Sequence, residues 1–410
     1  MRKLLLAGVV LLAGCTGGET PAPSPSPATS PAPVSTAAPL RLAPQPLWSG
    51  TLRDKGLPYR GVMRVSLVGD GLLIAADGRE SAYGLADART GELRWSVKHA
   101  AARNTARSIL TGDPDGDWTL VANYASKKGD ETTQGILGYS GTDGTVRWQI
   151  PLARHRDADT EKFEVRLGAA DGDTFWAAVD TGVGKEITET RMEAWDVASR
   201  RKLWTVDGAQ PVAVAGDIVL GTRPVVPHAL AKRGVGFVSA HDRRTGKKIW
   251  DLNGRSEHSD VGFAGNGLIV APLWDTSFAL PGQDGTAILE LATGAELGRE
   301  EVAITDCKVY GDRPICWMYG PQFTFAEIAP DGTRTPVPGG KQCDRFLPWR
   351  ELYVCSHSGD GESSQPVDRT GALAGPAIPG DVHATSDRLV VVATGPVTGE
   401  RTFAVHETVS

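Results

Sequence analysis

At 410 residues the chain is long enough for several ordinary domains or for one large domain built from repeats. Its net charge of -6 lacks the basic excess that nucleic-acid binding needs, so no nucleic-acid partner is expected. With 49 Gly and 27 Pro, turns are frequent and long helices are disfavoured, while a hydrophobic content of 40% suffices for a packed core.

The first element is an export signal over residues 1–14. Arg2 and Lys3 supply a positive start, and the apolar run from Leu4 to Leu12 is too short to span a bilayer. It ends in Leu12-Ala13-Gly14-Cys15, which resembles the lipobox of bacterial lipoproteins. The resemblance implies cleavage before Cys15 and diacylation (palmitate-type chains) of its thiol. That would hold the protein at the cell membrane on the extracytoplasmic side. Residues 15–45 are mostly Pro, Ala, Ser and Thr, with almost no large apolar side chain before Leu40. Such a stretch buries no core and reads as a disordered tether; the folded part is expected over residues 46–410.

Within that part a unit recurs. Its clearest copies run from Leu85 through Asp87, Thr90 and Gly91 to Trp95, and from Ala240 through Asp242, Thr245 and Gly246 to Trp250. Asp143-Gly144 leads to Trp148, and Asp196 leads to Trp204 with Arg200 at the Gly position. Weaker copies surround Gly294, Gly332 and Gly371, where Gly298, Pro336 and Gly375 stand at the Trp position. Spacings of roughly 40–55 residues between the Gly positions belong to four-stranded propeller blades. Asp starts each turn by accepting backbone hydrogen bonds. Gly supplies a left-handed residue, and the following Trp lies on the departing strand and packs on the neighbouring blade.

A second signal alternates with the first. Eight short apolar runs follow Gly/Asp turns: Leu72–Ala76, Trp118–Ala122, Phe175–Val179, Ile218–Leu220, Leu268–Ala271, Ile315–Met318, Leu352–Cys355 and Leu389–Ala393. Runs without alternation mark strands buried on both faces, as stacked sheets require. Seven Asp/Gly turns against eight runs is reconciled by Trp48, whose strand is expected to complete the last blade. Closure of this kind removes exposed edges. The expected fold is an all-β, eight-bladed propeller.

Of five cysteines, Cys15 is assigned to lipid. The others form two close pairs, Cys307 with Cys316 and Cys343 with Cys355, each flanking a hairpin turn. Export permits disulfides, and nearest-neighbour pairing suits two hairpins. A zinc site shared by all four is the rival, against which the absence of any C-x-x-C spacing weighs.

The pattern A-x-D-x-x-T-G-x-x-x-W, carried by residues 85–95 and 240–250, resembles the PQQ-like β-propeller repeat family. Family members include quinoprotein dehydrogenases, which hold a quinone and Ca²⁺ at the ring centre. They also include the non-catalytic lipoprotein of the outer-membrane β-barrel assembly machinery. A lipidated, eight-bladed chain without vicinal cysteines is similar to the second kind. The resemblance implies a propeller scaffold that binds a protein partner or ligand at the cell envelope, with no cofactor and no metal. A quinoprotein-like oxidoreductase using the central channel is the alternative. No Ser/His/Asp elbow, zincin helix or phosphate loop occurs, so no catalytic residue is assigned.

In an up-and-down blade, the second-to-third and blade-to-blade connections share one face. Here these connections are long: Ala125–Gln134, Thr181–Thr190, Thr222–Gly234, Trp274–Asp284, His99–Arg107, Pro151–Glu164 and Asn253–Asp260. Function concentrates on such loops. The expected binding residues there are Arg103, Arg154, His155, Arg156, Arg255, His258 and Trp274. His99, His155, His258 and His383 raise a channel metal only weakly, since none is paired in sequence. Asp113, Asp115 and Asp117 read as a hairpin turn, since the Gly and Glu of a calcium loop are missing.

Overall fold

The computed structural model describes residues 39–409 other than 59–61, 78–79, 101–107, 157–160, 184–185, 223–237, 253–261, 266, 273–285, 301–302, 311–312, 320–323, 338–342, 344, 358–362, 369–371 and 396–399. Among the described residues there is no helix, and the strands form eight antiparallel sheets.

Each sheet is one blade of four consecutive strands, termed A to D. Blade 1 comprises Val62–Val68, Gly71–Asp77, Glu80–Asp87 and Leu93–Ala100; blade 2, Ser108–Gly112, Trp118–Lys128, Glu131–Ser140 and Val146–Arg156. Blade 3 comprises Glu161–Asp171, Thr174–Val183, Glu186–Asp196 and Arg201–Asp207; blade 4, Gln210–Ala215, Ile218–Thr222, Val238–Asp242 and Lys248–Asp251. Blade 5 runs from Gly262 to Glu300, blade 6 from Ala303 to Pro336 and blade 7 from Arg345 to Pro379. Blade 8 has Asp381–Thr385, Leu389–Thr394 and Thr402–Val409 as its first three strands. All eight apolar runs fall on strand B. The A strands touch their neighbours around the ring, for example between blades 2 and 3, 3 and 4, and 8 and 1, which places them about the central axis.

Eight clusters of buried apolar side chains lie between the sheets, one at each blade interface, including that between blades 8 and 1. Among the described residues every blade therefore packs on both neighbours, which closes the ring. Trp48–Thr51 pairs with strand C of blade 8, Trp48 opposite Val405, as expected from seven Asp/Gly turns against eight apolar runs. The pairing starts further upstream than residue 46. Arg41 and Leu42 pair with Val409 and Thr408, and the amide of Leu40 donates to the Ala374 carbonyl at 3.0 Å. Gly375 makes this possible, since a Cβ there would collide with the Leu40 carbonyl. The missing Trp of blade 7 thus makes room for the incoming chain.

The turn chemistry is as the repeat implies. Asp87 Oδ1 accepts from the amides of Arg89 and Thr90, both at 2.9 Å, and Gly91 has φ of +71°. Four docking Trp side chains reach the C–D turn of the next blade. Indole N–H groups of Trp48, Trp95, Trp204 and Trp250 donate to the carbonyls of Ala88, Gly141, Arg243 and Leu291 at 2.8–3.0 Å. The ring covers the turn glycine as well: a Cβ on Gly144 would sit 2.8 Å from Trp95. Gly at this position therefore meets two demands, a positive φ and space for an indole. Blade 3 has Arg200 there at φ of +56°, and Trp148 instead stacks on Phe175 with ring centroids 5.6 Å apart.

Cys307 is bonded to Cys316 across strands A and B of blade 6, and Cys343 to Cys355 in blade 7. Blades 6 and 7 are among those without a docking Trp.

Candidate binding face on the raised strands

The two ends of the disk differ. The A–B and C–D turns meet on one face, where the amides of Ala88, Val197, Arg243 and Leu291 donate to Asp70, Asp173, Asp217 and Gly267. Guanidinium–carboxylate pairs lace it: Arg94 bridges Asp70 at 2.7 Å and Asp87 at 2.6 Å, and Arg147 pairs with Asp117. These pairs hold both blade 1 carboxyls below the ordinary range; for Asp70 the Arg94 hydrogen bond leads, whereas for Asp87 burial opposes it most. Asp113 caps its own turn through Asp115 and Gly116, consistent with a plain hairpin. Leu42 pairs beside Thr408, whose amide donates to Arg388 in the A–B turn of blade 8. The described chain therefore enters on this tight-turn face.

Among the described residues, the opposite face is raised at blades 2 and 3. Ala125–Gln134, Thr181–Thr190 and Pro151–Glu164 are mainly strand, contrary to the long connecting loops expected there. Strands B, C and D of blade 2 and A, B and C of blade 3 run 10 or 11 residues, against 7 or 8 in blade 1. At about 3.3 Å per residue the surplus lifts them roughly 10 Å above blade 1.

Two buried amides lock this wall. Asn123 Nδ2 donates to the Val165 carbonyl at 2.7 Å, and its Oδ1 accepts from the Leu167 amide at 3.1 Å. Gln134 Nε2 donates to the Phe163 carbonyl at 2.8 Å, and its Oε1 accepts from the Val165 amide at 3.1 Å. Strand A of blade 3 has one edge paired to strand B; these side chains satisfy the other edge as a partner strand would. Beneath, Trp148, Phe175 and Trp195 stack with interplanar angles of 3°.

Arg154, His155 and Arg156 end strand D of blade 2 on this wall, opposite Thr133, Thr132 and Glu131. The arginines are exposed and His155 is half-buried, its Nδ1 without a hydrogen-bond partner. Arg103, Arg255, His258 and Trp274 lie outside the described residues, as do Cys15 and the export signal. Sequence reasoning missed Tyr124, Ser126, Lys128 and Thr133 on the same wall, and the Asn123 and Gln134 clamps.

Facing blade 4, Arg166 pairs with Asp180, which is only 1% exposed. Glu164, the cross-strand partner of Asp180, has its carboxyl pushed up by burial; Arg166 opposes the shift and Asp180 adds to it. On strand A of blade 8, Asp381 is held by Arg401 at 3.2 Å and His383 at 3.1 Å. Arg401 also lies 3.3 Å from His383 Nε2, a poor setting for a cation. Among the described residues no group of three His, Cys, Asp or Glu is arranged to hold a metal. A quinone–calcium centre does not fit these residues: Asp180 and Asp381 are each held by a guanidinium, which repels a divalent ion.

A family model described as "Outer membrane protein assembly factor BamB", a PQQ-type repeat model, matches residues 45–251. The match covers the closing strand and blades 1–4, where the Trp repeat is strongest. None of the curated proteins matches the chain. Among solved structures, BamB from Moraxella catarrhalis is 14% identical, covering 90% of this chain and 98% of that one, with a TM-score of 0.49. A europium-containing methanol dehydrogenase is 11% identical, covering 90% and 93%, with a TM-score of 0.51. At that identity the second likeness shows a shared fold and nothing of its chemistry. With its model matched over half the length and the repeat seen in the blades, the chain belongs to the PQQ-repeat propeller family described as outer membrane protein assembly factor BamB.

Proposed function

We propose that the chain is an extracytoplasmic lipoprotein scaffold, anchored through Cys15, whose raised face binds an envelope protein. The observation that carries this reading is the clamped wall of blades 2 and 3, which stands on the face opposite the chain's entry. A stiff projecting surface loses little freedom on binding. Residues 1–14 act as the export signal, and the stretch from Cys15 to the entry point acts as the tether. A tether joined to the tight-turn face leaves the raised face clear of its attachment. The family assignment supports a scaffold role, since the outer-membrane assembly factor gives the family its description.

The test has two arms in the producing cell. Cys15→Ser is expected to move the protein from the membrane to the soluble fraction, and retention at the membrane would refute the anchor. Crosslinking followed by mass spectrometry is expected to recover one protein in recurrent stoichiometry. Recovery of the chain alone would refute the partner.

A further inference from the structure

Blade 2 carries a charged plane above its neighbour. Pairing sets Ser126, Thr133 and Arg154 in one row across three strands, and Lys128, Glu131 and Arg156 in the next. Cross-strand partners and residues two apart share a sheet face, so these six side chains form one plane. Tyr124, one row below on the same face, packs with Tyr83 and Leu85 of blade 1 and so fixes the plane on the blade 1 side. In blade 1, strand B ends at Asp77 and strand C begins at Glu80, and Ser126, Lys128, Arg154 and Arg156 of the longer blade 2 strands are exposed. Three cations stand against one acid, in a chain of net charge -6. Among the paired residues of the Arg154 row there is no other charge.

We infer that this plane docks a short acidic segment of the partner protein, extended and with carboxylates at alternate residues. The inference rests on the partner-binding role proposed above. Arg154 and Arg156 are two residues apart on one strand, about 6.7 Å, which is the pitch of alternate side chains in an extended peptide. Each planar guanidinium pairs with a carboxylate through two parallel hydrogen bonds. The hydroxyls of Ser126 and Thr133 add donors beside Arg154, in its own row. The plane presents side chains of three paired strands in two successive rows, which suits an extended chain better than a small molecule. A long polyanion is disfavoured, because it would run beyond the patch into a molecule of the same sign. The Asn123 and Gln134 clamps hold the plane's strands in place before binding.

The test uses full-length protein and a fluorescein-labelled peptide of four Glu-Ser repeats, read by anisotropy. Expected results are binding at low salt, weakening severalfold between about 50 and 200 mM salt, and weaker binding of the isomer with its Glu and Ser in separate blocks. The double variant Arg154→Ser with Arg156→Ser is expected to lose about tenfold or more with its melting temperature unchanged. Should that variant misfold, Arg154→Lys with Arg156→Lys keeps the charge and loses the fork, and is expected to bind about threefold or more weakly. No peptide binding, undiminished binding by whichever variant folds, equal binding of the isomers, or tighter binding of inorganic polyphosphate would each overturn the inference. A partner captured in cells that binds the variants as well as the parent overturns it too, and leaves the partner-binding role standing.

Discussion

Replacing Asn123 by Ala tests the clamp between blades 2 and 3. The side chain is 1% exposed and satisfies two backbone groups of the next blade, the Val165 carbonyl and the Leu167 amide. Truncation leaves both groups buried without partners, at about 1–3 kcal/mol each. A water molecule entering the space recovers part of this, so a loss of about 3 kcal/mol is the working value. For a folded unit of this size the unfolding entropy is on the order of 0.8 kcal/mol/K, so the melting temperature should fall by about 4 °C. Gln134→Ala should behave alike. The double variant should lose less than the sum, because both side chains bind Val165. Native-state hydrogen exchange supplies the local readout: the Leu167 amide should lose protection in Asn123→Ala, and the Val165 amide in Gln134→Ala. The exposed change Ser96→Ala on blade 1 serves as control. If melting temperature and amide protection both match the parent, the side chains do not hold the wall and the reasoning fails.

Other consequences are open to the same assays. Gly144→Ala adds a Cβ at φ of +70° and 2.8 Å from Trp95, whereas Gly129→Ala adds one at φ of +64° with nothing within 4 Å. The second should cost about 1 kcal/mol and the first at least ~2 kcal/mol more, read by denaturant unfolding; equal losses would remove the indole from the account. Reducing both disulfides, which close separations of 9 and 12 residues, should lower the melting temperature by about 7 °C, at roughly 2.5–3 kcal/mol each. No change on reduction would mean that blades 6 and 7 need no brace. His241 is buried, with Nδ1 3.1 Å from the Gly246 carbonyl and Nε2 2.8 Å from the Ser239 hydroxyl. Burial holds its pKa below the ordinary 6.5, so the unfolded chain takes up the proton first. Its contribution is therefore complete above pH 6.5 and lost as pH falls below it. Melting temperature should decline from pH 6.5 to about 5, and His241→Gln should flatten that slope; an unaltered slope would exclude His241 as its source.

What could be read from the sequence was the part written in local backbone chemistry. Asp242 Oδ1 accepts from Thr245 N–H at 2.8 Å and Gly246 takes φ of +70°, both consequences of residue type alone. The eight apolar runs were legible because a strand buried on both faces carries mostly apolar side chains, with polar ones kept where they find a partner, as Asn123 and Asp180 do. Trp48 announced the ring closure because an indole so placed needs the next blade's turn, here Ala88 and Gly91. The two-residue strand Arg41–Leu42 was hidden in Pro/Ala-rich surroundings, since its pairing depends on the distant Thr408 and Val409.

The raised wall was misread for a related reason. Ser126-Lys127-Lys128-Gly129-Asp130-Glu131 is polar on both faces, so it shows neither alternation nor an apolar run, although it is a strand hairpin. The expectation of long loops on this face was wrong about form, since these segments are paired strands. Asn123 and Gln134 gave no signal at all: an amide that completes a neighbouring strand's edge looks like any other until its partner is known.

The most direct test of the central claim, that the raised face is the partner's docking surface, is photocrosslinking in the producing cell from two positions. One p-benzoylphenylalanine replaces Ser126 on the wall; the other replaces Thr90 on the tight-turn face. A single discrete adduct from position 126 and none from position 90 is the predicted result. An adduct from position 90 alone, or none from either, would contradict the account.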